Sequence, residues 1–158
     1  MMEIIKEQTF EKIRKKVKET IFSKKIGQNQ NHKESKEIVF SSDNDDLNRK
    51  ILEKLPINIL LINLAQRRDR LKQRDSGLNH VLAKIAKKNK ITIGINLDEL
   101  IEAKDKEKII ARIKQNIKLC NKNKVKMKFI QQKNKRNIYD LKSLGLILGM
   151  PTWMTKGL

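Results

Sequence analysis

The sequence predicts an α/β protein in which a mostly parallel sheet carries helices packed outside it, either open or closed into a barrel. Two observations carry that expectation. From residue 37 onward strand and helix patterns alternate, at the spacing expected when parallel strands are joined through crossover helices. No segment repeats with a fixed period, which argues against a solenoid. At 158 residues the chain has the size of one domain with a real core, so residues 1–158 are expected to fold as a single unit.

The first element is an amphipathic helix over Thr9 to Gly27. Thr9 caps it, Phe10, Ile13, Val17 and Ile21 share one stripe, and Gly27 ends it. Residues 28–36, QNQNHKESK, have nothing apolar to bury and read as a surface loop, in which His32 is a solvated side chain rather than a metal ligand. The strand EIVF comes next, followed by a helix from about Asp45 that presents Leu47, Ile51, Leu52 and Leu55, and then by the apolar strand INILLINL, ending at Leu64. A helix over about Gly77 to Asn89 leads into ITIGIN, where Ile91, Ile93 and Ile95 alternate. A long helix from Glu107 leads into VKMKFI, and a last helix starts near Tyr139.

The hydrophobic fraction of 38% and charged fraction of 35% fit a soluble domain. The longest apolar stretch, Ile57 to Leu64, falls far short of the roughly 20 residues that span a bilayer, so no membrane partner is expected. The opening MMEIIKEQTFEKIRKK lacks the apolar core of a signal peptide, which points to a cytoplasmic location. The single cysteine, Cys120, excludes an internal disulfide and reads as a small buried apolar residue. The formal charge of +19 and pI near 10.1 point to a polyanionic partner, nucleic acid first. Part of that charge is lysine excess, 29 Lys against 8 Arg, so its distribution says more than its sum. Residues 106–136 hold twelve Lys or Arg against the single acid Glu107, and four of the eight arginines fall between Arg67 and Arg74.

As a helix, residues 77–89 separate into an inner stripe of Leu78, Val81, Leu82 and Ile85 and a cationic outer face of His80, Lys84, Lys87 and Lys88. Asp75 or Ser76 is placed to cap it, and Gly77 would let a backbone or a ligand approach. A helix N-terminus just after Arg67, Arg68, Arg70 and Arg74 suits phosphate, which arginine forks match well. In the helix from Glu107, Ile109, Ile110, Ile113, Ile117 and Cys120 are expected inward, and Arg112, Lys118 and Lys122 outward. Lys126 and Lys128 alternate with Val125, Met127 and Phe129, which places that strand near an edge or against an anion. Aromatic residues make up only 4%, too few for stacking platforms, so binding is expected to rest on phosphate and shape. For catalysis the inventory is poor: no phosphate-binding loop, no nucleophile elbow, no HExxH and only two histidines. The acidic group Asp43, Asp45 and Asp46 reads as capping and solvation at a helix start rather than as a metal site.

The run RDSGLNHVLAKIAKKN, Arg74 to Asn89, resembles the ribonuclease P protein component 3 family of archaea. Downstream, ITIGINLDELI, ARIKQNIKLCNK with Arg112 and Asn116, VKMKFIQQ and DLKSLGLILGM are similar to that family in order and spacing. SSDNDDLNRKILEKLPINILLINL resembles it more loosely. The resemblance runs from about Glu37 to the C-terminus and implies a TIM-like barrel of the polymerase and histidinol phosphatase (PHP) type, without metal-binding histidines. Residues 1–36 follow the family's first strand and helix poorly and read as a divergent N-terminal helix and loop, leaving the barrel incomplete there.

The resemblance further implies a non-catalytic subunit of ribonuclease P, inactive alone, that binds RNase P RNA and removes the 5′ leader of precursor tRNA only as part of the holoenzyme. Mg2+ belongs to the RNA and no cofactor to the chain. The implied partners are the RNase P RNA, protein component 2, other RNase P proteins and the precursor tRNA. Arg74, Asn79, His80, Lys84 and Arg112 carry over as RNA or structural contacts, while Arg67, Arg68 and Arg70 rest on charge alone. Two rival readings follow from the residues themselves. One is a generic basic RNA-binding or ribosome-associated protein. The other is a metal-dependent phosphoesterase, which would need a His and Asp cluster.

Overall fold

The computed structural model describes residues 2–5, 9–27 and 37–158. The expected loop at 28–36, with His32, lies outside them. The chain runs β1 (Met2–Ile5), α1 (Phe10–Gly27), β2 (Glu37–Ser42), α2 (Asp45–Lys54), β3 (Ile59–Ile62), α3 (His80–Lys88), β4 (Thr92–Asn96), α4 (Leu97–Glu102), α5 (Lys106–Asn123), β5 (Met127–Ile130), α6 (Ile138–Leu148) and α7 (Thr152–Thr155). All four strand pairings are parallel, and the sheet order β1-β2-β3-β4-β5 is the order of the chain. The expectation of a parallel sheet with helices outside therefore holds.

One element was missed. Met2–Ile5 pairs with Glu37–Phe40 as a strand, so α1 is the crossover of a first β-α-β unit rather than an isolated N-terminal helix. Four residues, one of them Glu3 and with Lys6 directly after, give too short a run for periodicity to register.

Strand parity divides the core in two. Ile38, Phe40, Leu60, Ile62, Ile93, Ile95, Met127 and Phe129 face the helices and pack with Ile13, Val17, Ile51, Leu82, Ile109 and Ile113. The alternate residues Val39, Ile59, Leu61 and Ile130 form a separate cluster on the opposite face, with Ile4 against it. That face is concave. Glu37 of β2 and Lys128 of β5 form an ion pair of 3.0 Å, although in a flat sheet strands three places apart lie about 14 Å from one another. Gly94 sits at the centre of the curl, where a Cβ would stand 3.0–3.2 Å from side-chain carbons of Ile59, Leu61 and Ile130. The absent side chain lets the neighbours close over β4. The Glu37 contact also answers why Lys128 interrupts an apolar strand: β5 is an edge, as expected, and its lysine has a counter-ion inside the curl. Among the described residues β1 and β5 do not pair, so the sheet is strongly curled and open.

Helix ends follow local chemistry. Asn44, Asn79, Asn96 and Asn137 each accept a backbone N–H with their side chains at the starts of α2, α3, α4 and α6, each cap stabilising its helix by about 1 kcal/mol. The expected cap at Asp75 or Ser76 is corrected by this. Asp75 and Ser76 lie three or more residues before the helix, which begins at His80. The expected inner stripe is corrected too: Val81 is exposed, Ile85 half-buried, and Ala83 and Ala86 are the fully buried residues with Leu82. A face closed by alanines lets the helix sit close to its neighbours, and counting only large apolar residues misses it.

Candidate nucleic-acid interface

The segment between β3 and α3, residues 63–79, crosses the C-terminal end of the sheet and holds four of the eight arginines. Its conformation is set from beneath by two of the chain's arginines. Arg67 donates from Nε to the Asn63 carbonyl at 2.9 Å, from Nη1 to Asp75 at 3.0 Å and from Nη2 to Asp45 at 2.8 Å. Its side chain is 8% exposed. The two carboxylates hold the Arg67 guanidinium above its ordinary range against the opposing pull of burial. Gly77, at φ +68, lies against this guanidinium, which a Cβ would strike. Its freedom thus admits Arg67, not a ligand.

Arg112 of α5 does the same from the other side. Nη1 donates to the Leu64 carbonyl at 2.6 Å, and Nη2 to the Arg67 carbonyl at 2.8 Å and Asp69 at 2.9 Å. The side chain is 3% exposed. The expected outward position of Arg112 is therefore corrected, and so is the surface placement of Arg67. Both guanidiniums are committed to internal acceptors and present no free fork to a phosphate. The Arg112 hydrogen bond, with the Asp75 backbone N–H, holds the Asp69 carboxyl below the usual carboxylate range. Asn116, one turn on, donates to the Ser76 carbonyl at 3.0 Å, completing the attachment of the segment to α5.

The outside of the segment is built differently. Arg70 and Gln73 exchange backbone hydrogen bonds of 2.8 and 3.2 Å, closing a turn whose tip, Leu71, stands fully in solvent. Arg68, Arg70 and Arg74 are exposed around that turn. Arg70, Arg74 and Arg49 share a cleft of about 350 Å3 with the start of α3. Beside it, α3 exposes His80, Lys84, Lys87 and Lys88, as expected, and the adjoining α5 exposes Lys118 and Lys122. His80 Nδ1 lies 3.3 Å from the Asn123 amide, which brings the two helices together at this point. Asn79 is occupied as the cap of α3, accepting from Leu82 at 2.8 Å. Cys120 is buried, and desolvation pushes its thiol up to about 12, so it stays a protonated core residue.

The acids at the C-terminal ends of the strands, where barrel enzymes carry their chemistry, are spent on the backbone or on neighbouring side chains. Glu99 accepts from the N–H groups of Leu64 and Ala65, and Asp98 from those of Gln132, Lys133 and Asn134. Burial pulls the Asp98 carboxyl up, but the three N–H donors outweigh it and hold it below the usual range. Asp43 accepts from Asn63, and Asp45 pairs with Arg67. Among the described residues no three His, Cys, Asp or Glu side chains converge as a metal site, and no helix is long and apolar enough to cross a membrane.

No family model matches the chain. Its sequence is 28% identical over 111 residues to ribonuclease P protein component 3 of Methanococcus maripaludis strain C5, covering 69% of this chain and 45% of that protein. The component 3 of Methanococcus vannielii is 32% identical over 89 residues, covering 54% of this chain and 36% of the relative. The chain is thus similar in sequence to ribonuclease P protein component 3 of two Methanococcus species. It spans less than half the length of the curated component 3 proteins it matches. The fold is shared with a chain in the cryo-EM structure of archaeal ribonuclease P with mature tRNA, at a TM-score of 0.74 and 24% identity, covering 98% of this chain and 62% of that one.

Proposed function

We propose that the chain is a non-catalytic protein subunit of ribonuclease P. It binds and stabilises the catalytic RNA, and the assembly removes the 5′ leader from precursor tRNA. The observation that carries this reading is the sequence relation to component 3 proteins over 69% of the chain, on a structure whose strand-end carboxylates are tied to backbone amides and whose outer helical face is cationic. Such a face lowers the cost of folding a polyanion and binds it with strong salt dependence. The RNA contacts of this reading are Arg68, Arg70 and Arg74 on the turn, His80, Lys84, Lys87 and Lys88 on α3, and Lys118 and Lys122 on α5. Asn79, Arg67 and Arg112 serve by fixing the shape of that surface.

In this reading the curled sheet is part of a TIM-like barrel of the PHP type, Mg2+ is held by the RNA, and cleavage is the RNA's own. The direct partners are the RNase P RNA, protein component 2 and the other RNase P proteins, with precursor tRNA as holoenzyme substrate, in the cytoplasm. The test is reconstitution from the cognate RNA and proteins, following leader removal with and without the chain. The expected result is that omission lowers cleavage at moderate magnesium and that the chain alone cuts nothing. Unchanged cleavage, with equal binding to unrelated RNAs, would instead establish a generic basic RNA-binding protein.

A further inference from the structure

The cationic band does not stop at the end of α3. At the N-terminal end of β4 and β5, on the opposite pole of the sheet from the arginine turn, Lys87, Lys90, Thr92, Lys124 and Lys126 line a cavity of about 380 Å3. All four lysines are exposed, and among the described residues no acidic side chain lines the cavity and none of the four makes an ion pair. Lys124 extends beside Trp153, its Nζ 5.6 Å from the ring centroid.

Local chemistry accounts for only part of this. A cation near the last turn of a helix meets the negative end of the helix dipole, which covers Lys87 and Lys124. It does not cover Lys126, which precedes β5. Nor does it explain the backbone at Lys90 and Lys124, whose φ angles of 56° and 55° lie in the left-handed region where helix ends ordinarily use Gly or Asn. Two lysines thus occupy conformations that suit another residue, and both bring their charge to one unneutralised concavity.

We propose that this cavity is a second site for an RNA phosphate backbone, so that RNA is gripped at both poles of the α3–α5 face. The proposal rests on the RNA-binding part of the function given above, but not on the RNA being that of RNase P. β4 alone has five residues, so the two poles stand about 17 Å apart, roughly twice the Debye length at physiological salt. Each site therefore contributes separately to the salt dependence of binding.

The left-handed positions supply the test. In a K90G/K124G/K126Q variant the glycines fit the backbone better than lysine, so folding is preserved or improved. Affinity for a mixed-sequence RNA duplex and for the RNase P RNA is measured against potassium chloride, beside thermal unfolding. The expected result is an unchanged or higher Tm with a salt slope lower by as much as about 3, at roughly 0.9 for each phosphate no longer neutralised. An unchanged slope with a raised Tm overturns the proposal and leaves the lysines as helix caps or as a docking point for an acidic protein. Failure of the parent chain to bind either RNA overturns it as well. Should the triple variant unfold, K90Q/K126Q, which alters only exposed side chains that belong to this cavity and not to the α3 face, decides by the same slope. If leader removal proves independent of the chain while the slope still falls, the RNase P reading fails and this site stands.

Discussion

Arg67 and Arg68 are neighbours in the chain and belong to two different regions of the molecule. Beneath the β3–α3 segment, Arg67 and Arg112 are almost wholly enclosed, and every fork is matched to a carbonyl or a carboxylate of the chain. On top of it, Arg68, Arg70 and Arg74 stand in solvent. The lower region holds the segment in shape, and the upper region uses that shape to hold positive charge around a projecting turn. The difference lies in counter-ions, not in residue type: Asp45, Asp69 and Asp75 are near enough to claim the lower arginines and leave the upper ones in solvent.

The largest expected effect tests the lower region. Arg112→Ala removes the partners of the Leu64 and Arg67 carbonyls and costs roughly 3 kcal/mol, seen as a fall in the midpoint of urea unfolding. Stability equal to the parent's would break the distinction. Next, R68A/R70A/R74A is expected to lower RNA affinity about tenfold or more and the salt slope by as much as about 3, with each substitution changing stability by no more than about 0.5 kcal/mol. A triple variant that unfolds would show the upper arginines to be structural after all. Asn79→Ala, which uncaps α3 between the two regions, is expected to cost about 1 kcal/mol in thermal unfolding and little RNA affinity.

The smallest effect concerns pH and the strand-end acids. The folded Asp98 carboxyl lies below its ordinary range, so the unfolded chain binds the proton more readily. Its stabilisation is complete above about pH 4, the ordinary aspartate value, and is lost as pH falls through the lower folded value. Asp98→Asn is expected to flatten that part of the pH-stability curve, measured by unfolding from neutral pH into acid. An unaltered acid limb would mean that the backbone donors of residues 132–134 do not depend on the charge.

Much of the fold was legible because long amphipathic elements announce their period. Ile109, Ile113 and Ile117 on α5, and Ile91, Ile93 and Ile95 leading into and along β4, are buried as their spacing requires. β1 was not legible, since four residues cannot establish a period and its place comes from pairing with β2. The start of α3 was misplaced because Asp75, Ser76 and Asn79 can all cap, and only the tertiary course of the segment selects Asn79. For the candidate interface, the cluster of arginines was plain, but its division into inner and outer members was not. That division depends on Asp45, more than twenty residues upstream of Arg67, and on a helix that begins far downstream. Lys90 and Lys124 carried no sequence signal, because a left-handed lysine looks like any other until its φ is known.

A sheet whose strand order is its chain order has a consequence for how the protein is made. Each new strand can pair at once with the one before it. The molecule can therefore accumulate native structure from β1 onward as the chain emerges, without waiting for distant partners. The exception is the Glu37–Lys128 pair, which joins residues 91 positions apart. It can close only when β5 has arrived, and so acts as the clasp on the curl.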